Sequence, residues 1–292
     1  MITIIIPTYN NDRFLPKAIA SASMIKCVGE IIIVDDASTD KTKEVIKKIK
    51  KQNLQIKYFK NKKNIGTGRS FIKGIYKSNF DYILMLNSDD FFIPQNIDKL
   101  FTFQKKNLLD LAYGKMAIMK NDEIFKFKHI GYKNNSYQST RDEFIDLLVY
   151  DMYMPSFGSI IKKKILNNFY NFKYIDNLDK AFGSKFKAHD YDLFLNLSKK
   201  TKKIGFLNEY VCVWKPEENS QSGYYYFSSG CAAAESAFLF NRYYDKSLKL
   251  DIFTKSMIKK RILQKKKEMI DLNNKSILYD KHINIFMNNL NS

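Results

Sequence analysis

Carboxylate side chains gather in three short segments whose chemistry could serve catalysis. Asp36 follows one apolar run, Asp89 and Asp90 follow another, and Asp190 stands near the start of a later helical pattern. Two adjacent carboxylates favour a cation beside them, and their hard oxygen atoms suit Mg²⁺ or Mn²⁺. A single carboxylate can take the proton of a hydroxyl nucleophile. Each segment also has a structural alternative, because Asp commonly forms turns and helix caps.

Two of these acidic segments lie within the first 120 residues, where the sequence pattern places them at the ends of predicted strands. Short apolar runs rich in β-branched residues alternate there with helical patterns. The predicted strands are Ile2–Ile6, Ile31–Val34, Leu54–Phe59 and Tyr82–Leu86. Asp12 is predicted to cap the first helix, and Asp40 is predicted to open the second. This series predicts an α/β fold with a mainly parallel, Rossmann-like sheet flanked by helices, in which ligands bind at the carboxyl ends of the strands.

The pattern is looser beyond residue 120. It predicts an edge strand or half a hairpin at 122–129, helices at 142–150 and 189–197, and strands at 204–207 and 210–214. The polar, aromatic-rich segments 130–140 and 171–187 are interpreted as loops. From residue 231 onward the chain is predicted to be helical, and it is rich in Lys.

The charge of the chain indicates anionic partners without selecting one. There are 49 Lys and Arg against 30 Asp and Glu, a formal net charge of +19. Nucleotide phosphates, an anionic membrane and an acidic glycan all fit this charge. Because only five of the 49 are Arg and no recognition motif is present, nucleic acid is not expected as a partner.

Two enzyme classes are disfavoured by the segment after the first strand. It reads Pro7-Thr8-Tyr9-Asn10-Asn11. A dinucleotide-dependent oxidoreductase would carry G-x-G-x-x-G there. A sugar nucleotidyltransferase, which stays an alternative, would carry a Gly-rich phosphate loop with a Lys.

The composition bears on the compartment. The three cysteines, Cys27, Cys212 and Cys231, lack the spacing of metal ligands and favour a reducing environment. No apolar run approaches the roughly 18 residues of a membrane-spanning helix. The N-terminus lacks the basic region of a signal peptide. We therefore expect a cytoplasmic protein.

Five segments together resemble the family 2 glycosyltransferases, which have the GT-A fold. They read TIIIPTYNNDRFLPKAIAS, EIIIVDDASTDKT, NKKNIGTGRSF, YILMLNSDD and HDYDL, in the order and spacing of that family. The resemblance covers residues 1–125 well and 155–222 more loosely. It implies inverting, metal-dependent transfer of a sugar from a nucleotide-sugar to a hydroxyl. It also implies a GT-A domain over 1–225, with a nucleotide-sugar-binding half at 1–120 and an acceptor-binding half at 121–225, followed by a basic helical extension at 226–292.

The resemblance assigns the donor-binding residues by position. Pro7 and Tyr9 match positions that flank the nucleobase. Asp36 matches the carboxylate that accepts the N3–H of a pyrimidine, which favours a UDP-sugar as donor. The residues that match the loop near the ribose and phosphates are Asn64, Gly66 and Arg69. The alternative for Gly66 is a simple turn before a helix.

The resemblance also assigns the reacting groups. Asp89 and Asp90 match the acidic motif that binds Mn²⁺ or Mg²⁺, and Asp89 is also a candidate contact to the ribose. Asp190 matches the general base, with Asp192 as a weaker alternative that helix packing also explains. Lys215 occupies a position where a basic residue can hold the diphosphate.

Four residues depart from the family pattern, and one of them is Ser70, which replaces a frequent Asn after Arg69. Asn87 stands where many members carry the first acid of the metal motif, and His189 stands where Glu often precedes the base. Glu217 stands near the position of a His that assists the metal or diphosphate. These departures leave open a non-catalytic relative that binds a nucleotide or glycan.

The C-terminal segment has two interpretations. Residues 246–292 carry 11 Lys and Arg against four acidic residues, and Phe253, Met257, Ile258 and Ile262 lie at helical spacing. Such a helix could lie on the anionic inner face of the cytoplasmic membrane, or it could pack on the protein with a solvated Lys face. The first interpretation would suit a glycan or lipid-linked acceptor in bacterial surface polysaccharide or glycoconjugate synthesis. Neither the donor sugar nor the oligomeric state is predicted.

Overall fold

The computed structural model divides the chain into two compact units. It describes residues 1–51, 55–129, 131–138, 142–216, 226, 228–244, 250–267 and 279–291. The sheet unit comprises Met1–Glu143, Met154–Ile175 and Leu197–Lys215. The helical unit comprises Phe144–Tyr153, Asp176–Asn196 and Pro216–Ser292. The predicted functional domains, 1–225 and 226–292, stay a prediction.

The first part of the sheet unit alternates strands and helices, as predicted. The elements are β1 (Ile2–Thr8), α1 (Leu15–Ser23), β2 (Val28–Asp35), α2 (Thr42–Lys50), β3 (Ile56–Lys60), α3 (Thr67–Lys77) and β4 (Tyr82–Met85). β1 pairs in parallel with β2 and β4, and β2 pairs in parallel with β3. All seven residues of β1 are buried, which explains why a central strand of this sheet reads as a continuous apolar run. Residue 54, in the predicted third strand, lies outside the described residues.

The second part completes a mixed sheet. The elements along this stretch of the chain are β5 (Phe91–Phe92), α4 (Pro94–Lys106), β6 (Leu111–Lys120), β7 (Glu123–Lys126), β8 (Tyr137–Gln138), α5 (Glu143–Tyr150), β9 (Ser159–Lys162), α6 (Lys163–Asn167), α7 (Phe172–Phe182), α8 (His189–Lys200) and β10 (Ile204–Trp214). Most of α5, α7 and α8 belongs to the helical unit. The strand order through the described residues is β3-β2-β1-β4-β9-β6-β10-β5, with β7 beside β6 and β8 beside β10. Every antiparallel pair includes a strand of this second part, and the strands of the first part pair with one another only in parallel. The α/β class and the mainly parallel first half are therefore confirmed.

Four local predictions need correction. Asp12 does not cap α1, because the N-cap is Phe14 and Pro16 occupies the first turn, where its missing N–H is tolerated. The predicted loop at 171–187 contains α7, whose apolar residues Ile175, Leu178 and Phe182 are buried at helical spacing. The predicted loop at 130–140 contains β8. The two predicted strands at 204–207 and 210–214 form one strand, β10, with shifts of register inside it.

Asp40, which was predicted to open the second helix, lies one residue before its N-cap, Lys41. The Asp40 carboxylate accepts the N–H of Thr42, the first residue of α2, at 3.0 Å. Its other oxygen accepts the N–H of Asp12, also at 3.0 Å. Asp12 therefore contributes its backbone rather than its carboxylate to this corner of the sheet unit.

The helical unit contains α9 (Cys231–Tyr243), α10 (Ile252–Lys267) and α11 (Tyr279–Asn291). Ile258 and Ile262 of α10 are fully buried, which agrees with the packed-helix interpretation for these two residues. Ile252 and Phe253, at the start of α10, are 88% and 73% exposed. No helix among the described residues is long and apolar enough to cross a membrane.

A half-buried ion cluster attaches α10 to the rest of the helical unit. Arg261 pairs with the Asp151 carboxylate at 3.1 Å and donates to the Leu148 carbonyl oxygen at 3.0 Å. Lys265 pairs with the second oxygen of Asp151 and donates to Ser236 Oγ at 2.9 Å. Burial alone would raise the pKa of Asp151, but the charges of Lys265 and Arg261 hold this pKa well below its ordinary value of 3.8.

We predict that Asp151→Asn lowers the free energy of unfolding near neutral pH, and that this difference shrinks as the pH falls below about 4. The sign follows because a carboxyl with a depressed folded-state pKa stabilises the fold above its unfolded pKa and loses that contribution on acidification. Asn fits the local backbone, where residue 151 has φ = 70°. Denaturant unfolding at several pH values measures the effect.

The matched control is Asp122→Asn, because Asp122 is exposed and also has a positive φ, of 59°. It should change stability by less than about 0.5 kcal/mol at every pH. A difference for residue 151 that does not vary with pH would contradict the ion-cluster explanation.

Candidate active site

The loops at the carboxyl ends of β1, β2 and β4 are tied to one another. The Asn10 N–H donates to Ser38 Oγ at 2.9 Å, which joins the loop after β1 to the loop after β2. The Asn11 side-chain amide donates to Ser88 Oγ at 2.7 Å, which joins it to the loop after β4. Two of the predicted acidic segments therefore lie in linked loops at one edge of the sheet.

Asp36 is held at the centre of the loop after β2. Its N–H donates to the Thr8 carbonyl oxygen at 2.8 Å. Its carboxylate is 3% exposed and accepts three hydrogen bonds, from Asn61 Nδ2 at 2.8 Å, Ile65 N–H at 2.9 Å and Gly66 N–H at 2.7 Å. An ionised carboxylate offers about four acceptor positions, so about one stays available on Oδ2 for a ligand.

Gly66 is required by the turn that leads into α3. It is the N-cap of that helix, with φ = 90° and ψ = 158°, a conformation that L side chains rarely adopt. This turn directs the N–H of Gly66 to Asp36. Arg69 follows in the first turn of α3 and is half-buried, whereas Asn64 is exposed in the preceding loop.

Asn61 is a site residue that the sequence interpretation missed. Its amide nitrogen donates to Asp36 and to Ser70 Oγ, the second at 3.0 Å. Its amide oxygen accepts a hydrogen bond from Lys73 Nζ at 2.6 Å. The available signal was its place directly after β3, where a polar residue meets the carboxyl edge of the sheet.

Pro7 and Tyr9 mark the end of β1. The Ile5 carbonyl oxygen accepts the N–H of Leu86, which directly follows β4. Because Pro7 is two residues further along β1, its backbone nitrogen also faces the β4 side. Because β4 has ended there at Met85, the missing N–H of Pro7 costs no ladder hydrogen bond. Pro7 is buried, whereas the ring of Tyr9 is 49% exposed.

Asp90 is a buried carboxylate between two donors of the sheet unit. It is 2% exposed, and its Oδ2 accepts a hydrogen bond from Asn87 Nδ2 at 2.8 Å. Its Oδ1 accepts the backbone N–H of Lys215 at 2.9 Å. Burial, together with the negative charge of Asp89, raises the pKa of Asp90 well above its ordinary value. Asn87 therefore acts as a donor to Asp90, which an ionised acid at that position could not do.

The oxygen atoms at this position suit a divalent cation only together with a ligand. Asp89 and Asp90 are hard donors of the kind that Mg²⁺ and Mn²⁺ prefer. Within the described part of the chain, no group of three His, Cys, Asp or Glu side chains could hold a metal ion. A cation here would need further oxygen atoms, such as those of a diphosphate, so the donor set fits a metal–diphosphate complex.

Two lysines of the sheet unit lie against aromatic rings. Lys215 Nζ lies 4.2 Å from the centre of the Phe14 ring. Lys17 Nζ lies 3.8 Å from the centre of the Phe91 ring, and Phe91 directly follows Asp90. Lys17 was not predicted as a site residue. Glu217 lies outside the described residues.

Asp190 belongs to the helical unit, whereas the other predicted site residues belong to the sheet unit. It is the second residue of α8, and its Oδ1 accepts the N–H of Tyr191 at 2.9 Å. Asp192 is fully buried. Its Oδ1 accepts a hydrogen bond from the Tyr243 hydroxyl at 2.7 Å and pairs with Arg242 Nε at 3.4 Å. Asp192 is therefore engaged in helix packing.

Comparison with known proteins identifies a family. Residues 3–180 match the model described as glycosyl transferase family 2. The GalNAc(5)-diNAcBac-PP-undecaprenol beta-1,3-glucosyltransferase of Campylobacter jejuni is 26% identical over 201 residues, which cover 68% of this chain and 60% of that protein. Three other curated relatives, each named as an uncharacterized glycosyltransferase, align over 47%, 66% and 39% of their own length.

Solved structures support the same fold. TarS residues 1–349 of S. aureus, crystallised with UDP-GlcNAc, superpose with a TM-score of 0.69 at 15% identity, covering 99% of this chain and 81% of that one. The mannosyltransferase PcManGT of Pyrobaculum calidifontis, in complex with GDP-Man and Mn²⁺, superposes with a TM-score of 0.55 at 13% identity, covering 97% of this chain and 73% of that one.

We predict that Asp36→Asn lowers the free energy of unfolding by about 1–3 kcal/mol, because an amide cannot accept hydrogen bonds at both ends and its NH₂ would face another donor. Denaturant unfolding measures this difference, with Asp122→Asn as the exposed control. If the two variants were equally stable, Asp36 would not be what fixes the loop at residues 61–66.

Proposed function

The chain belongs to glycosyl transferase family 2, and from that premise we propose that it transfers a sugar from a nucleotide-sugar, with a UDP-sugar favoured, to a hydroxyl of a glycan or lipid-linked acceptor. The observation that carries the proposal is the linked edge of the sheet unit. There a buried Asp36 with one spare acceptor position follows β2, and the Asp89–Asp90 pair follows β4, the two strands that flank β1.

The nucleoside would bind across the ends of β1 and β2. Tyr9 offers an exposed aromatic face, and Pro7 shapes the strand end beside it. The remaining acceptor position of Asp36 suits the imide N3–H of uracil, whereas N3 of cytosine carries no proton. Asn64, Gly66 and Arg69 would line the ribose and phosphates, because they surround the beginning of α3, where N–H groups and a positive helix end favour anions.

The leaving diphosphate would be stabilised by positive charge. Asp89 and Asp90 would hold Mg²⁺ or Mn²⁺ against the diphosphate, and the ion would neutralise the charge that develops as the bond to the sugar breaks. Lys215 would add a positive charge beside the same phosphates, because its backbone is bound to Asp90. Asp89 could also contact the ribose.

Asp190 would act as the general base. Its carboxylate would take the proton of the acceptor hydroxyl while the acceptor oxygen bonds to the anomeric carbon. The bond from that carbon to the diphosphate oxygen breaks as the electron pair leaves with the nucleotide. Attack on the face opposite the leaving group inverts the anomeric carbon, so no covalent enzyme intermediate is needed.

The acceptor class and location are further parts of the proposal. The Campylobacter jejuni relative is named for an undecaprenol-linked acceptor, which supports a lipid-linked acceptor here and a role in bacterial surface glycoconjugate or polysaccharide synthesis. We place the protein in the cytoplasm, at the inner face of the membrane. The exposed Ile252 and Phe253, followed by Lys255 and Lys259, would form the contact with anionic lipid.

A second candidate function is binding of a nucleotide or a glycan without catalysis, as a non-catalytic member of the family would do. It is favoured by Asn87, since an amide replaces a carboxylate that many family members carry in the metal motif. Such a protein would bind a nucleotide without transferring sugar, so transfer assays distinguish the two candidates.

We predict that UDP with Mn²⁺ raises the melting temperature, and that Asp89→Asn removes the metal-dependent part of the shift. At about 100 times its dissociation constant a ligand adds about 2.7 kcal/mol of stability. The variant keeps both hydrogen bonds of Asp90. Thermal unfolding with UDP, GDP or CDP, with and without Mn²⁺, tests the donor class. A larger shift with GDP than with UDP would mean that the donor carries guanine and not uracil. The absence of a shift with any nucleotide would contradict the proposal.

We predict that Asp190→Asn lowers sugar transfer by about 10²- to 10⁴-fold and leaves UDP affinity unchanged, because it removes the proton acceptor without altering the donor site. Transfer from labelled UDP-sugars to extracted glycans and lipid-linked oligosaccharides measures the effect. Asp176→Asn, on the exposed face of α7, is the control. Full activity in Asp190→Asn would exclude Asp190 as the base.

A further inference from the structure

Glu235 is a buried carboxylate that binds the backbone just before α8. It lies on α9 and is 1% exposed. Its Oε1 accepts the N–H of Lys187 at 2.8 Å, and its Oε2 accepts the N–H of Ala188 at 3.0 Å. The Tyr226 hydroxyl donates to the same Oε2 at 2.7 Å. All of these residues lie in the helical unit, so this carboxylate joins two of its segments.

These contacts lie on the two residues that directly precede α8. A helix leaves its first N–H groups without intrahelical partners, and a Ser, Thr, Asp or Asn at the N-cap usually supplies an acceptor. α8 begins at His189, so the preceding residue is Ala188, which has no side-chain acceptor. Glu235, from a distant helix, accepts the N–H groups of Lys187 and Ala188 just before α8, and its negative charge suits the positive end of that helix.

Burying the Glu235 carboxylate costs more free energy than burying an apolar side chain would. Burial raises the pKa of Glu235, which reflects the cost of keeping a carboxylate out of water. An apolar side chain of similar size on α9, together with a local cap on α8, would avoid that cost. The arrangement therefore indicates that the backbone at Lys187 and Ala188 has to be held in a defined position.

Asp190 lies between this contact and a second anchor. Asp190 is two residues beyond Ala188, and its own carboxylate accepts the N–H of Tyr191. The Tyr191 side chain is buried, and its hydroxyl donates to the Leu147 carbonyl oxygen at 2.7 Å. The backbone of Asp190 is thus fixed on its N-terminal side by Glu235 and on its C-terminal side by Tyr191.

We propose that Glu235 is a positioning residue for the general base, which fixes the start of α8 so that the Asp190 carboxylate is directed at the acceptor hydroxyl. This inference rests on the proposed function. In this role Glu235 would act through Asp190 and not by contact with donor or acceptor. Proton transfer depends on hydrogen-bond geometry, and a misplacement of about 1 Å can cost about 10²-fold in rate.

The informative variant is Glu235→Gln, which keeps the size of the side chain. The amide oxygen can accept only one of the two backbone N–H groups, and its NH₂ would face the other. Tyr226→Phe is the matched control, because it removes the third hydrogen bond of Glu235 and leaves both backbone contacts in place.

Kinetics of sugar transfer test the proposal. For Glu235→Gln we expect kcat to fall about 10- to 100-fold with the donor KM within about twofold of wild type, since only the reacting geometry changes. Tyr226→Phe should lower kcat far less. An unchanged kcat in Glu235→Gln, or a fall that only matches a loss of folded protein in thermal unfolding, would overturn the proposal.

Amide hydrogen exchange provides a readout that needs no turnover. Exchange at Lys187 and Ala188 should be faster in Glu235→Gln than in wild type or Tyr226→Phe. If wild type transfers no sugar, the proposed function fails, whatever exchange shows. If wild type is active, Asp190→Asn is inactive and Glu235→Gln exchanges faster but keeps its kcat, only the positioning role fails.

Discussion

The ligand-facing edge of the sheet unit is organised by one buried carboxylate, Asp36, which requires hydrogen-bond donors. Asp36 is almost inaccessible to water, so its negative charge requires protein N–H groups, and Asn61, Ile65 and Gly66 supply them. Because two of the three donors are backbone groups, satisfying the charge also fixes the course of the chain between β3 and α3. The same side chain thus builds the loop and leaves an acceptor position at the edge where a ligand would bind.

Other acids that are buried or half-buried bind distant segments in the same way, within each of the two units. Asp90 accepts the Lys215 N–H in the sheet unit, and Glu235 accepts two backbone N–H groups in the helical unit. Asp151 instead pairs with the cations of α10. In every case a charge that would be costly alone is matched by groups from a distant segment, so these contacts specify the fold as well as stabilise it.

The parallel half of the sheet was predictable because strands buried on both faces appear as uninterrupted apolar runs, as in β1 and β2. Asp36 and Asp90 were recognisable because acids directly follow such runs. α7 was missed because Lys, Asn and Asp between its apolar residues resemble a loop. Asn61 and Glu235 were beyond reach for a different reason. Their partners lie 25 residues away for Asn61 and 47 or 48 for Glu235, and local sequence carries no signal for such pairs.

The charges around Asp90 bear on the order in which a metal and a nucleotide would bind. A third carboxylate at residue 87 would favour a bare divalent cation, but Asn87 donates to Asp90 and contributes no charge. The backbone of Lys215 is bound to Asp90, and a diphosphate that reached its side chain would gain a positive charge. A metal already bound to the nucleotide brings its own oxygen ligands and carries net negative charge into this field. We therefore expect the nucleotide and metal to bind as one complex, with the two acids completing its coordination.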